Sequence, residues 1–443
     1  MKKLLAVGVC ATCAMMQFAS ADPLTIERVN VNPDTSAQAD GSSDSPSLSA
    51  DGGVVAFVSS STTLADPSYG LTANSPPQIY AFDRNKKSLE LISVTADGTE
   101  ASDGPCSLPQ VSADGLFVAF LCSASNLPKS GTNASNNTIY IHDRSGGTTF
   151  MPMNDWLPAQ PPLTGASNPG FLHRYMSGDA ARITFEYTGG VTLPSVNYLD
   201  QSAGTSSLND ACSPAVCLGP QISTGGSHIA LVSSAAISID DTNGFADVYL
   251  YDVDAKAFTL VSVNGDKSQG NGDVSGADVA VSGDGAFVAF SSFQADNLGD
   301  PKTANLLLVR DVNAGTLAVA SVNDGSATAL PVLSPRPALS DEGIVLAFTS
   351  DNAALAPHPN KPPADALVRH MKAELLRSVC RSRSGTYGNN TCLGATVSAD
   401  GNWAAFTAAA DNLVPDDTNS QPDIFVVSLD VLFDDIFADG HES

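Results

Sequence analysis

The chain has 443 residues and a formal net charge of −26, with 21 basic against 47 acidic side chains. A surface this acidic repels nucleic-acid phosphates and anionic lipid, so neither is an expected partner. Beyond the N-terminal segment no stretch reaches the roughly 18 uninterrupted apolar residues that a membrane span needs.

The first residues, MKKLLAVGVCATCAMMQFASA, combine Lys2 and Lys3, a short apolar run and an Ala19-Ser20-Ala21 ending. That pattern reads as a secretory signal peptide over 1–21, cleaved before Asp22. The expected protein is therefore exported, periplasmic or extracellular in a Gram-negative bacterium. Cys10 and Cys13 leave with the leader, and Cys106, Cys122, Cys212, Cys217, Cys380 and Cys392 remain. An even set of cysteines in an exported chain reads as disulfides. Nearest companions favour 106–122, 212–217 and 380–392 among the possible connectivities. A metal site is the rival reading, but the six remaining cysteines include no CxxC pair and no histidine stands at ligand spacing.

From residue 48 onward one unit recurs: LSADGGVVAF (48–57), VSADGLFVAF (111–120), MSGDAARITF (176–185), ISTGGSHIAL (222–231), VSGDGAFVAF (281–290), LSDEGIVLAF (339–348) and VSADGNWAAF (397–406). Each copy is a short strand, a hairpin turn and a second strand apolar at nearly every position, which requires cover on both faces. A polar connection leads to a third strand such as QIYAFD (78–83) or DVYLYD (247–252), and a turn leads to a fourth, SLELISV (88–94) or FTLVSV (258–263). Equivalent turn positions are 46 to 65 residues apart. Four antiparallel strands per unit, repeated with one register, describe an all-β fold, a seven-bladed β-propeller occupying 22–431 as a single domain. The segment TIERVNVNPDTSAQADG (25–41) matches the fourth strand and exit loop LELISVTADGTEASDG (89–104), while the last unit lacks a fourth strand. The N-terminal strand is thus expected to join the last blade and close the ring. The third copy departs most: Ala180 stands where the others have the turn glycine, and a Pro-rich insertion (151–170) precedes it.

The copies SADGLFVAF, SGDGAFVAF and SADGNWAAF resemble the PD40 (WD40-like) repeats of the TolB-type propeller family, whose units read S-x-D-G-x-x-[IV]-A-F. The resemblance covers 25–430 and implies the propeller fold. Members include periplasmic interaction proteins and the propeller halves of some peptidases. Two features depart from that family: no separate α/β domain precedes the repeats, and the linkers carry Asp-Thr-Asn segments. The tail LFDDIFADGHES (432–443) is similar to F-x-x-G-F-E endings of exported proteins, with His441 where that pattern has Phe.

Chemistry-bearing residues are few. No G-x-S-x-G elbow or H-E-x-x-H spacing occurs. Of the six histidines, His228 falls at the register of Val54, Phe117, Phe287 and Trp403, a packing position. His142 is expected at a sheet surface, and His173, His358 and His370 are the histidines that loops would bring to a channel mouth. The linker between second and third strands reads IDDTNGFAD in blade four (239–247) and PDDTNSQPD in blade seven (415–423). Asp241, Asn243 and Asp247 therefore match Asp417, Asn419 and Asp423, oxygen donors at a spacing that suits Ca²⁺. The same residue types also cap ordinary turns. Three sequons, at Asn133, Asn136 and Asn389, are coincidental in a bacterial chain.

The reading is an exported, monomeric scaffold that binds a protein, peptide or glycan through propeller loops, without catalysis of its own and without a resident cofactor. Its alternatives are a metal-dependent polysaccharide lyase or hydrolase acting at the channel mouth, and a Ca²⁺-stabilised structural surface protein.

Overall fold

The computed structural model describes residues 24–128, 138–152, 166–167, 175–187, 195–202, 204–207, 216–274, 278–299, 305–333, 335–359 and 361–433. The leader over 1–21, the tail beyond 433, Cys212, His173, His441 and the sequons at Asn133 and Asn136 lie outside them.

The described strands form seven four-stranded antiparallel sheets, each in simple up-and-down order. Sheet 1 comprises Ser43–Leu48, Val54–Ser59, Gln78–Asp83 and Ser88–Leu91. Sheet 2 runs from Cys106–Val111 to Thr148–Phe150, sheet 3 from Ala166–Ser167 to Gly204–Ser207, and sheet 4 from Cys217–Ile222 to Ala257–Leu260. Sheet 5 runs from Val279–Val281 to Thr316–Val319, and sheet 6 from Ala338–Leu339 to Leu375–Ser378. Sheet 7 has Cys392–Val397, Trp403–Ala408 and Asp423–Ser428 from the C-terminal end, and Ile26–Arg28 as its fourth strand. That last strand pairs antiparallel with Phe425–Val427. The architecture is an all-β propeller of four-stranded antiparallel blades.

The apolar second strands are explained by what lies on either side of them. Alternate residues of a strand point to opposite faces, and each face packs on a different sheet. Ala404 and Phe406 join Val345, Ala347 and Val368 of sheet 6, whereas Ala405 joins Val55, Phe57 and Tyr80 of sheet 1. The core is accordingly a set of layers between neighbouring sheets, such as Val232 and Leu250 against Val288 and Phe290 between sheets 4 and 5.

The recurring turn does three jobs at once. Its serine hydroxyl, on Ser49, Ser112, Ser177, Ser282 or Ser398, donates to the aspartate two residues on at 2.5–3.0 Å. The same oxygen accepts the N–H that starts the second strand, at Val54, Phe117, Arg182, Phe287 and Trp403. Both partners keep a buried hydroxyl satisfied. The backbone then links one turn to the next. Ala50 N–H donates to Ala113 O, Ala113 to Gly178, Gly178 to Thr224, Gly225 to Gly283, Gly283 to Asp341, Asp341 to Ala399, and Asp400 to Ala50 O, all at 2.7–3.0 Å.

The turn glycine is required twice over. Gly343 has φ +66°, and a Cβ there would lie 2.4 Å from Phe287 of the preceding sheet. Gly285 is covered in the same way by the His228 ring, so His228 does pack. Sheet 3 forms the turn with Ala180 at φ +56°, a conformation costing about 1–2 kcal/mol for a residue with a Cβ. Two outcomes follow for urea denaturation: A180G should stabilise by up to about 1 kcal/mol, and G343A should destabilise by about 2–4 kcal/mol.

Candidate functional site

The two Asp-Thr-Asn linkers occupy equivalent places, each leading into the third strand of its sheet. In sheet 7, Asp423 is fully buried and Asp417 nearly so. Arg28 reaches both from the N-terminal strand, with Nη1 3.2 Å from Asp423 Oδ2 and 3.5 Å from Asp417 Oδ1. Asn30 completes the arrangement: its Nδ2 donates to Asp423 Oδ1 at 2.6 Å and its Oδ1 accepts from Ile424 N. One guanidinium serves two acids. Burial, and then the neighbouring Asp423, push the Asp417 carboxyl up to about 6 against the opposing pull of Arg28.

In sheet 4 the same frame lacks the arginine. Asp247 is fully buried; Ser262 Oγ donates to its Oδ1, and its Oδ2 meets no hydrogen-bond donor among the described residues. Asp241 accepts the Tyr249 hydroxyl. Burial pushes the Asp247 carboxyl up to about 6 against hydrogen bonds from Ser262 and Asn243, with the charges of Asp241 and Asp273 adding to the rise. Asn419 Nδ2 donates to Asp423 at 3.2 Å, while Asn419 Oδ1 accepts from Gln421 N and Asn243 Oδ1 from Phe245 N within their own turns.

A third buried acid completes the set and was not singled out in the sequence. Asp365 begins the third strand of sheet 6, the register of Asp247 and Asp423. Its Oδ2 lies 3.2 Å from His358 Nε2 and 3.9 Å from Lys361 Nζ. The signal was present: an acid aligned at the same strand start in three units.

The other described histidines are structural. His358 stacks on Tyr387 at 3.7 Å between centroids. His370 Nδ1 accepts from Ala373 N, taking the place that Asp83 holds in the outer hairpin of sheet 1. His142 is buried rather than at a surface, because Glu90 of sheet 1 packs over it with Oε1 3.4 Å from Nε2. Disulfides join Cys106 to Cys122 across the first two strands of sheet 2, and Cys380 to Cys392 between the exit of sheet 6 and sheet 7. Cys217 is also disulfide-bonded.

Near the axis the space is small. A cavity of about 40 Å³ is lined by Ser47, Ala50, Ala113, Gly178, Thr224 and Ala399, and Thr224 Oγ1 donates to Asp341 Oδ1 at 2.5 Å. A larger cleft of about 870 Å³ lies at the turn end between sheets 6 and 7, walled by Ile344, His370, Lys372, Leu429, Asp430 and Phe433. Among the described residues no group of three or more His, Cys, Asp or Glu side chains is arranged to hold a metal. No described helix is long and apolar enough to cross a membrane.

With that geometry in place, the class is a β-propeller, and solved structures agree on the fold. The chain is similar to an oligogalacturonate lyase in complex with manganese (12% identity, TM-score 0.51), covering 92% of this chain and 96% of that one. It also matches the β-propeller domain of the Trilobed protease from Pyrococcus furiosus (11%, 0.49), over 83% of this chain and 91% of that domain. TolB from Acinetobacter baumannii is a further neighbour (16%, 0.42); the match covers 73% of this chain and spans 63% of TolB. No protein-family model and no curated protein matches the chain.

Removing Arg28 strands two buried carboxylates, so R28A should lower stability by about 3 kcal/mol, measured by thermal or urea melts. Asp417 has a raised pKa in the folded state, so its contribution is present below the ordinary value of 3.8 and is lost as pH rises through about 6. D417N should flatten the pH dependence of stability across that window in melts run from pH about 4 to 7.

Proposed function

We propose that this protein is an exported binding scaffold, a closed ring of seven blades that captures a basic, partly apolar protein or peptide on its loop face. The supporting observation is a run of exposed apolar side chains on adjoining loops. Ile239 is 95% exposed and Phe245 38% in sheet 4, Phe293 43% in sheet 5, and Leu333 60% on the connection to sheet 6. These loops are tied to one another. Ala246 N donates to Asp273 Oδ1, Gln294 N to Asp273 O, Asn305 N to Phe293 O and Val332 N to Asn305 O.

Solvent-facing aromatic and aliphatic residues in a group mark an interaction surface rather than scattered exposure. The overall charge of −26 supplies the complementary field for a cationic partner. Ring closure is supported by the Ile26–Arg28 strand in sheet 7 and by the hydrogen bonds that pass from turn to turn back to Ala50. The disulfides fit an oxidising compartment, periplasmic or extracellular. The likeness to the lyase is one of fold.

The test is capture from periplasm or culture fluid by the tagged protein and by an I239S/F245S/L333S variant. A partner held by the parent and released by the variant, more readily at high salt, is the expected result. Equal capture by both proteins would remove the loop face from the proposal.

A further inference from the structure

Three sheets start their third strand with a buried aspartate, and in two of them the protein supplies the positive charge. Sheet 7 uses Arg28, and sheet 6 uses Lys361, with His358 Nε2 also within hydrogen-bond distance of the acid. Among the described residues, sheet 4 has the acids without a protein cation. Leu260 stands at the register of Arg28, since Leu260 pairs with Tyr249 as Arg28 pairs with Phe425, each the third residue of its strand. Asp247 is 0% exposed and its Oδ2 is unpartnered, while the charges bearing on it are the negative ones of Asp241 and Asp273.

A buried carboxylate without a partner is costly, and it is relieved by a proton or by a bound cation. We infer that the sheet 4 linker binds a hard cation of the Ca²⁺ class, held between Asp241 and Asp247. The arrangement in sheet 7 is the internal precedent: an acid pair of the same register holds a positive charge between its two carboxylates. The groups around Asp247 are of the right kind for such an ion. The Asp241 carboxylate, the Tyr249 hydroxyl bound to it and the Ser262 hydroxyl on Asp247 are all hard oxygens. Both asparagine Oδ1 atoms accept backbone N–H groups of their own turns, and Arg28 already sits between the sheet 7 acids, so of the two linkers that share the Asp-Thr-Asn sequence the sheet 4 one is the cation site. With two carboxylates the affinity belongs in the range of about 10⁻⁴–10⁻³ M found for extracellular Ca²⁺ modules. The same linker displays Ile239 and Phe245, but the inference stands whether or not a partner docks there.

Tb³⁺ is a suitable probe, because Tyr249 is placed to sensitise its emission. The full protein should give tyrosine-excited Tb³⁺ luminescence that millimolar Ca²⁺ displaces. D247N should abolish both the signal and the Ca²⁺ heat in calorimetry, and D423N should leave them in place. Y249F should lose the luminescence and keep a measurable, weakened Ca²⁺ heat, because the two carboxylates remain; luminescence unchanged in Y249F would place the ion near a different tyrosine and overturn the inference. Where D247N fails to fold by circular dichroism, D241N provides the same readouts. Absence of Tb³⁺ and Ca²⁺ binding by the parent overturns the inference and leaves a proton on Asp247 as the means of relief. Binding undiminished in a folded D247N or D241N overturns it equally, because the ion would then sit elsewhere.

Discussion

Every part of this molecule hangs on a turn of four residues near the axis. The serine hydroxyl bonds inward to the aspartate and to the following strand, and the backbone beside it bonds to the next turn. Because those links pass from sheet to sheet and return to Ala50, no sheet can shift without straining its neighbours. The side chain that opens each second strand adds a further lock by resting on the next turn, as His228 does on Gly285 and Trp403 on Gly52. Repetition of the turn therefore fixes angle and spacing together. What varies is left to the opposite end of the sheets, where the linkers are long and unlike.

This division explains what could be read from the sequence. The turn is local, so its seven copies reveal the strand count per unit, the shared face and the packing role of His228. The displaced N-terminal strand was legible for the same reason, since TIERVNVN matches another fourth strand. The partners of buried charges were not legible. Arg28 and Asp423 are 395 residues apart, and Glu90 comes to His142 from the neighbouring sheet. Such pairs depend on which sheets adjoin, and no local pattern carries that information. Asp365 escaped notice because its linker has lost the Asp-Thr-Asn sequence while its strand start kept the acid.

The acids divide by setting. Most turn aspartates bind backbone N–H groups of their own hairpin, as Asp83 does with Asn85 and Lys86. The strand-start acids are buried, and there the fold must provide an answer to their charge. Three sheets give three answers from one frame: an arginine from the far end of the chain, a histidine and lysine from the same linker, and in sheet 4 hydrogen bonds but no cation among the described residues.

The first described strand pairs with the last. Until residues 423–428 exist, Ile26–Arg28 has no edge to join, and afterwards sheet 7 has an open edge and two unneutralised acids until that strand arrives. A chain that stops short of this point can build six sheets and still leave both ends loose. Pairing of the Ile26–Arg28 strand therefore covers one edge of sheet 7 and brings the arginine to its acids in a single step.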